Sequence, residues 1–302
     1  MGKDREDKLI KNENSSIVIN MIEEDKAFSS IDFVGQCLVD EERTLAFQKA
    51  INKVVKKNDI VLDLGTGSGI MALSAARAGA KKIFAIEFDS FVAKVARKIV
   101  KANNLKRKIN LRINDARSYH FPENNKFNIV ISEMLTTGMV DEPQIQAINN
   151  LHLNNLVDDS TIFLPSKHDT YISLVNADFT IFGFKIPMIL HLWKWHKWNN
   201  LKLSNMTDKL ILNSIYFNKK NEEKFGTTID FEIKKSGTIN GLYLTSRTFL
   251  TDKIFLDDTE ALNAPMLVPI QKKIVRKGQK LKLRINYVFG GGYGNFSTQF
   301  GK

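Results

Sequence analysis

The sequence predicts an α/β domain built on a parallel sheet, followed by a second domain rich in β-strands. Three observations carry that prediction. Short apolar runs alternate with helical patterns between residues 60 and 132, a glycine-rich turn follows the first of these runs, and period-two patterns take over after Leu164-Pro165. Strands separated by helices imply a parallel sheet with helices on both faces, whereas short alternating runs imply a sandwich or barrel.

The elements follow in order. Met1 to about Lys26 has little apolar periodicity, so residues 1–30 are expected to be a flexible or helical extension. Asp40 to Lys56 reads as a helix, with Leu45, Phe47, Ala50, Ile51, Val54 and Val55 at helical spacing, and Asn58-Asp59 ends it. Ile60 to Leu64 is a strand. Gly69 to Ala78 is a helix closed by Gly79. Lys82 to Glu87 is the second strand. Ser90 to Asn103 is a helix expected to bury Phe91, Val95, Ile99 and Ala102. Ile109 to Ile113 and Phe127 to Ser132 complete the sheet. The later runs are Thr170 to Val175, Lys209 to Phe217, Thr227 to Ile233, Gly241 to Leu250 and Lys280 to Tyr287. The expected division is a Rossmann-like domain over 31–164 and a β-barrel or sandwich over 165–302.

Composition narrows the function classes. The chain has 302 residues, 43% hydrophobic and 25% charged, a balance that supports a sizeable core. No apolar run approaches the ~20 residues of a membrane-spanning helix. Met1 to Asn14 is too polar for a signal peptide, and Glu6 stands where a myristoylation signal has Ser or Thr. The one cysteine, Cys37, excludes an intrachain disulfide and a thiolate-rich zinc site, so no metal is expected and the cytoplasm is the natural compartment. Its simplest role is as a packing thiol. The net charge of +11 leaves an RNA or other acidic partner open, although the lysines are spread along the chain.

The glycine turn is the most specific signal. Val61-Leu62-Asp63-Leu64-Gly65-Thr66-Gly67-Ser68-Gly69 is a strand running into D-x-G-x-G-x-G, not the G-x-G-x-x-G that cradles a pyrophosphate. A carboxylate at Asp63 would repel a pyrophosphate and attract the ammonium of a methionine moiety. S-adenosylmethionine is therefore the expected cofactor. Glu87 ends the second strand, where a carboxylate can accept from both ribose hydroxyls. Asp115, after the third strand, would meet the adenine edge, or would simply cap a turn.

Strand four ends at Ser132-Glu133, and Glu142 follows nine residues later across a loop or tight hairpin. Two carboxylates on one cavity suit a guanidinium, which offers donors in a fixed fork. The bland alternative is a pair of ordinary surface glutamates.

These residues resemble the protein arginine methyltransferase family. The family's D-x-x-R-T segment stands here as Asp40-Glu41-Glu42-Arg43-Thr44, which implies that Arg43 binds the cofactor carboxylate. Asp63, Gly65 and Gly67 match its glycine motif, Glu87 its ribose-binding glutamate, and Glu133 with Glu142 its paired glutamates. Asp115 stands where the family usually has Glu. Leu164-Pro165 resembles the junction into the family's barrel, and Ile274 to Ile285, turning at Gly278, resembles a late strand pair of it. The resemblance implies N-methylation of a cationic acceptor such as protein arginine, and a ring-shaped homodimer.

The chain departs from the family at three places. The Tyr-rich N-terminal motif would fall at about Glu24 to Phe28, where no tyrosine stands. The Thr-His-Trp loop aligns with Asn263-Ala264-Pro265, which leaves Asp40 without the His it would pair with. The paired-glutamate loop carries Met134, Leu135, Thr136 and Thr137 in place of aromatics.

Other readings stay open at this point. They are a small-molecule or RNA methyltransferase on the same scaffold, and a non-catalytic regulatory protein that binds cofactor or a partner. Ser132-Glu133-Met134-Leu135 argues against the Asn-Pro-Pro-Tyr class, and the order of domains argues against ribosomal-protein lysine methyltransferases. Trp193-Lys194-Trp195-His196-Lys197-Trp198 suits a subunit interface, or stacking on single-stranded nucleic acid.

Overall fold

A parallel strand buried on both faces must be apolar throughout, and β1 (Ile60–Leu64) is apolar except for Asp63. It lies at the centre of the cofactor half in the computed structural model, which describes residues 28–121, 126–194 and 201–301. The expected extension over 1–30 therefore lies outside the described residues up to 27, as do Trp195 to Trp198. Before β1 come α1 (Ile31–Val39), capped by Ser30, and α2 (Glu41–Val54), capped by the Asp40 side chain. After it come α3 (Ile70–Ala78), β2 (Lys82–Glu87), α4 (Ser90–Ala102), β3 (Ile109–Ile113), β4 (Ile129–Ser132), α5 (Gln144–Leu153) and β5 (Ile162–Leu164).

The sheet order is β3-β2-β1-β4-β5, with every pairing parallel. Chain order reverses between β1 and β4, so the carboxyl ends of those two strands open a crevice. Leu64 pairs with Ser132, which brings Gly65 and Glu133 to the same edge.

The face of α4 differs from expectation. Val92, Ala93, Ala96 and Val100 are buried, while Phe91 is 59% exposed. Small alanines let the helix lie close to the sheet, and the larger Phe91 is turned to the rim.

The β-rich half is organised by β13 (Gly237–Thr251), fifteen residues long, between β6 (Lys167–Ala177) and β15 (Met266–Val275). The β9 strand (Leu190–His191) extends β15, while β10 (Leu203–Asn205) and β11 (Leu210–Tyr216) pair with β6. A second sheet runs β12 (Lys224–Glu232), β16 (Lys280–Val288), β17 (Ser297–Phe300). A hairpin, β7 (Thr180–Ile181) to β8 (Phe184–Lys185), stands apart, and β14 (Ile254–Leu256) pairs with β13. The strands at Ile274 and Ile285 do not pair with each other, as the hairpin-like spacing suggested. Arg276 to Gln279 is a corner that carries the chain from one sheet to the other, and Gly278 donates its N–H to Ile233 O at 2.8 Å.

One apolar core runs through both halves, from Phe47, Leu62 and Ile131 to Leu244, Phe231 and Leu283. The segment from Glu133 to Glu142 is a buried loop with one 3-10 turn at Thr137–Met139, not a hairpin. Its carbonyls need donors, and the chain's last segment supplies them. Tyr287 Oη donates to Gly138 O at 3.0 Å, Gly290 N to Met139 O at 3.0 Å and Gly292 N to Val140 O at 2.9 Å.

Gly290 has φ +63°, and a Cβ there would lie 2.9 Å from Pro143 Cα. Gly290→Ala is therefore expected to destabilise by roughly 1–3 kcal/mol, from left-handed strain plus backbone contact. The midpoint of urea unfolding measures this, and an unshifted midpoint would refute the docking role.

Candidate active site

At the carboxyl edge of β1 the chain must turn sharply and leave room for a ligand. Gly65 adopts φ +66°, and a Cβ on it would lie 2.9 Å from Met134 Cγ. The turn also orders its neighbours. Asp63 is 2% exposed, and its Oδ2 accepts from Thr66 Oγ1 at 2.6 Å and Ala72 N at 3.1 Å. Burial pushes its carboxyl up to about 7, against those donors. Glu87 ends β2, with Oε2 accepting from Gly67 N at 2.8 Å and Oε1 from Asp89 N at 2.9 Å. Burial raises it as well, opposed by the same backbone donors.

Arg43 rises from the first turn of α2 and reaches across to β4. Its Nε donates to Glu133 Oε2 at 2.6 Å, Nη2 donates to the same oxygen, and Nη1 donates to Cys37 O at 2.9 Å. Burial works against the charge of Arg43, but the facing carboxylate more than offsets it and the guanidinium stays protonated. Burial likewise raises Glu133, with Arg43 opposing. The sequence assigned these two residues to separate ligands, and the structure joins them.

A single cavity brings the predicted residues together. Arg43, Asp63, Gly65, Gly67, Glu87 and Asp115 line it, and so do Glu133 and Glu142. Asp115 is held by Arg117, whose Nε lies 3.0 Å from both carboxylate oxygens and whose Nη2 donates to Oδ2 at 2.8 Å. The turn-capping reading of Asp115 is expressed. Its Oδ1 accepts from Arg117 N, and the side chain borders the cavity.

Asp40 lacks the His and is paired by other donors. Its Oδ2 accepts from the Thr259 hydroxyl and from Ala261 N at 2.7 Å, while Oδ1 accepts from Arg43 N at 3.0 Å. The barrel loop that meets α2 is thus Thr259 to Ala261, four residues before the stretch the alignment chose. Asn263 lies deeper, with Nδ2 donating to Thr248 Oγ1 at 3.0 Å and Asp257 O at 3.1 Å. Alignment to a His-Trp pattern could not find a hydroxyl standing in for an imidazole.

Sequence reasoning also missed Gln144 and Asp141. Gln144 Oε1 accepts from Met134 N at 2.9 Å and Ser132 Oγ at 3.3 Å, holding the strand-four exit against α5. Asp141 lines the cavity beside Glu142.

The geometry is matched by known proteins. A family model described as ribosomal protein L11 methyltransferase (PrmA) matches residues 43–167. Over 264 residues the chain is 32% identical to the uncharacterized protein MJ1452 of Methanocaldococcus jannaschii, covering 87% of this chain and 95% of that one. It is 27% identical over 234 residues to protein arginine N-methyltransferase 1 of Saccharomyces cerevisiae, covering 71% of this chain and 66% of the yeast protein. The chain belongs to one family with MJ1452 and is an S-adenosylmethionine-dependent methyltransferase similar to the arginine methyltransferases. Its fold matches that of the Trypanosoma brucei PRMT1 enzyme-prozyme complex with AdoHcy at a TM-score of 0.70. That match has 18% identity and covers 91% of this chain and 98% of the other. S-adenosylmethionine is the methyl donor of this methyltransferase. The cavity fits it, because Asp63, a carboxylate 2% exposed, borders it together with the glycine turn and Glu87.

Cys37 also borders the cavity, and burial pushes its thiol up to about 12 despite Arg43 nearby. Iodoacetamide at pH 8 should modify it at least about 100-fold more slowly in the folded protein than in urea, since the thiolate is the nucleophile. Mass spectrometry of the alkylated protein reads the rates, and equal rates would rule out an inert thiol.

Proposed function

We propose that this methyltransferase methylates a nitrogen of a guanidinium-type cation such as protein arginine. One observation carries the reading: Glu133 and Glu142 border the same cavity as the glycine turn. The arginine N-methyltransferase relatives point the same way. We further propose that 31–164 is the cofactor domain and 165–302 the substrate domain, and that the enzyme is cytoplasmic. A homodimer also belongs to this reading, supported by the β7–β8 hairpin, where Phe182 is 95% exposed.

When bound, the cofactor supplies an electrophilic sulfonium methyl. Arg43 pairs with its carboxylate through guanidinium hydrogens not taken by Glu133, and Asp63 takes its ammonium. Glu87 accepts from the ribose hydroxyls with lone pairs left beside its two backbone donors, and Asp115 meets the adenine. Gly65 and Gly67 allow the close approach. Glu133 and Glu142 hold the guanidinium by its fork, localise its charge away from the attacking nitrogen and align that nitrogen with the methyl.

Glu133→Gln is expected to reduce methyl transfer at least about 100-fold, while S-adenosylhomocysteine affinity stays within about threefold, under ~1 kcal/mol. Radiolabel transfer and calorimetry separate the two effects, and unchanged turnover would remove Glu133 from the role.

Asp63 sets a pH dependence. Its raised carboxyl is neutral below about 7, so pairing with an ammonium requires ionisation. S-adenosylhomocysteine affinity should rise up to about tenfold per pH unit below 7 and level off above, and Asp63→Asn should flatten the curve. The cofactor-free protein behaves oppositely. A folded carboxyl raised above its unfolded value stabilises below about 4, and that stability is lost as pH climbs towards 7. Calorimetric titration between pH 5.5 and 8 measures the affinity, and a flat wild-type curve would contradict the assignment.

A further inference from the structure

Asp141 belongs to no motif, yet three side chains from separate segments brace it. Its side chain is 10% exposed and borders the cavity. The Thr136 hydroxyl donates to Oδ1, and Tyr293 Oη donates to Oδ2 at 3.1 Å. Behind it, His191 Nε2 lies 2.5 Å from Tyr293 Oη and 3.8 Å from Asp141 Oδ2. Three remote segments meet here: the acceptor loop, the β9 end and the turn before β17. His191 stacks on Trp193 at 5.8 Å, and Trp193 meets the edge of Phe33, which itself borders the cavity.

The hydrogens in this chain can be counted. Oδ2, Oη and Nε2 make two short contacts, which require two hydrogens. Tyr293 supplies one. The other sits either on His191 Nε2, leaving Asp141 ionised, or on Asp141 itself, leaving Nε2 bare. In the second case the His191 proton would sit on Nδ1, which is buried with no hydrogen-bond partner among the described residues. An orphaned N–H is rarer than an orphaned acceptor, so the first arrangement wins. Burial also lowers His191, against Asp141, which keeps the ring neutral.

We propose that Asp141 is a third carboxylate of the acceptor site, the one that receives the proton the methylated nitrogen loses, with Tyr293 and His191 as positioning residues. The proposal rests on the guanidinium reading above. In the transfer, the nitrogen lone pair forms the N–C bond and the C–S bond breaks with its pair remaining on sulfur. The N–H proton then passes to Asp141. Glu133 is a poorer candidate because the Arg43 guanidinium occupies it, whereas the hydroxyls bracing Asp141 are neutral. The other ionisable groups bordering this end of the cavity are Cys37 on α1, Arg43 on α2, Glu133 after β4 and Glu142 before α5.

Two measurements test the assignment. Nitrogen-15 NMR of the five histidines, with His191 assigned by loss of its signals in His191→Gln, reads the tautomer without any acceptor. Protonated Nε2 with bare Nδ1 at pH 7–8 is expected, and a bare Nε2 would overturn the proposal, since Asp141 would then carry the proton. Kinetics with free L-arginine and arginine-bearing peptides supply the second arm. Asp141→Asn should lower kcat about 100-fold with KM changed less than about threefold. Tyr293→Phe should lower kcat about 10-fold with KM changed less than about threefold. Lower melting temperatures with kcat unmoved would show a mere latch and overturn the assignment. If no guanidinium probe is methylated, the acceptor reading falls, and the tautomer alone decides whether Asp141 is an available base.

Discussion

The ion pair between Arg43 and Glu133 connects the two chemical halves of this enzyme. Both charges are taken out of water, so removing either partner strands the other at a cost of about 3–5 kcal/mol. The pair fixes where α2 meets the end of β4, and hence where the cofactor side meets the acceptor side. It depends in turn on Asp40. One Asp40 oxygen caps α2 at Arg43 N, and the other is held by Thr259 and Ala261 of the barrel. A contact in the β-rich half therefore sets the first turn of α2, the first turn sets Arg43, and Arg43 sets Glu133.

Periodicity made much of the cofactor half legible. β1, β2 and β3 occupy the spans their apolar runs predicted, because a buried parallel strand has little freedom in composition. Glycines at 69 and 79 bracket α3 in left-handed conformation, as the punctuation suggested. Faces and partners were harder to read. The stripe of α4 was assigned by size, and small alanines displaced it. The corner at Gly278 looked like a hairpin because a short turn between alternating runs is the hairpin signature, yet those runs pair with different sheets. Alternation specifies which side of a strand is buried and is silent on its neighbour.

The site divides in the same way. Asp63, Glu87 and Glu133 were readable because each stands at or within one residue of a strand's carboxyl end, and strand ends are countable. Asp141, His191 and Tyr293 were not, because no local pattern marks contacts that span 50 to 152 residues. The Thr259 contact was hidden for a different reason. A carboxylate's need for a donor is met equally by an imidazole N–H, a hydroxyl or a backbone amide. A motif search asks for the first, and the fold supplied the other two.

Net charge and the charge lining the cavity point in opposite directions here. The chain carries +11, which at long range disfavours a cationic acceptor. That field is screened within about 8 Å at physiological ionic strength. The cavity gathers Asp63, Glu87, Asp115, Glu133, Asp141 and Glu142 between low-dielectric walls, with Arg43 paired to Glu133 and Arg117 to Asp115. Six carboxylates against two guanidinium groups leave the lining net negative, and such a cavity attracts the opposite charge at close range. Under the proposed guanidinium reading, the surface lysines suit an acceptor segment that is acidic or neutral around a single cationic side chain. On this reading affinity for the substrate body and selection of the reacting group are set by different parts of the molecule, and bulk composition reports only the first.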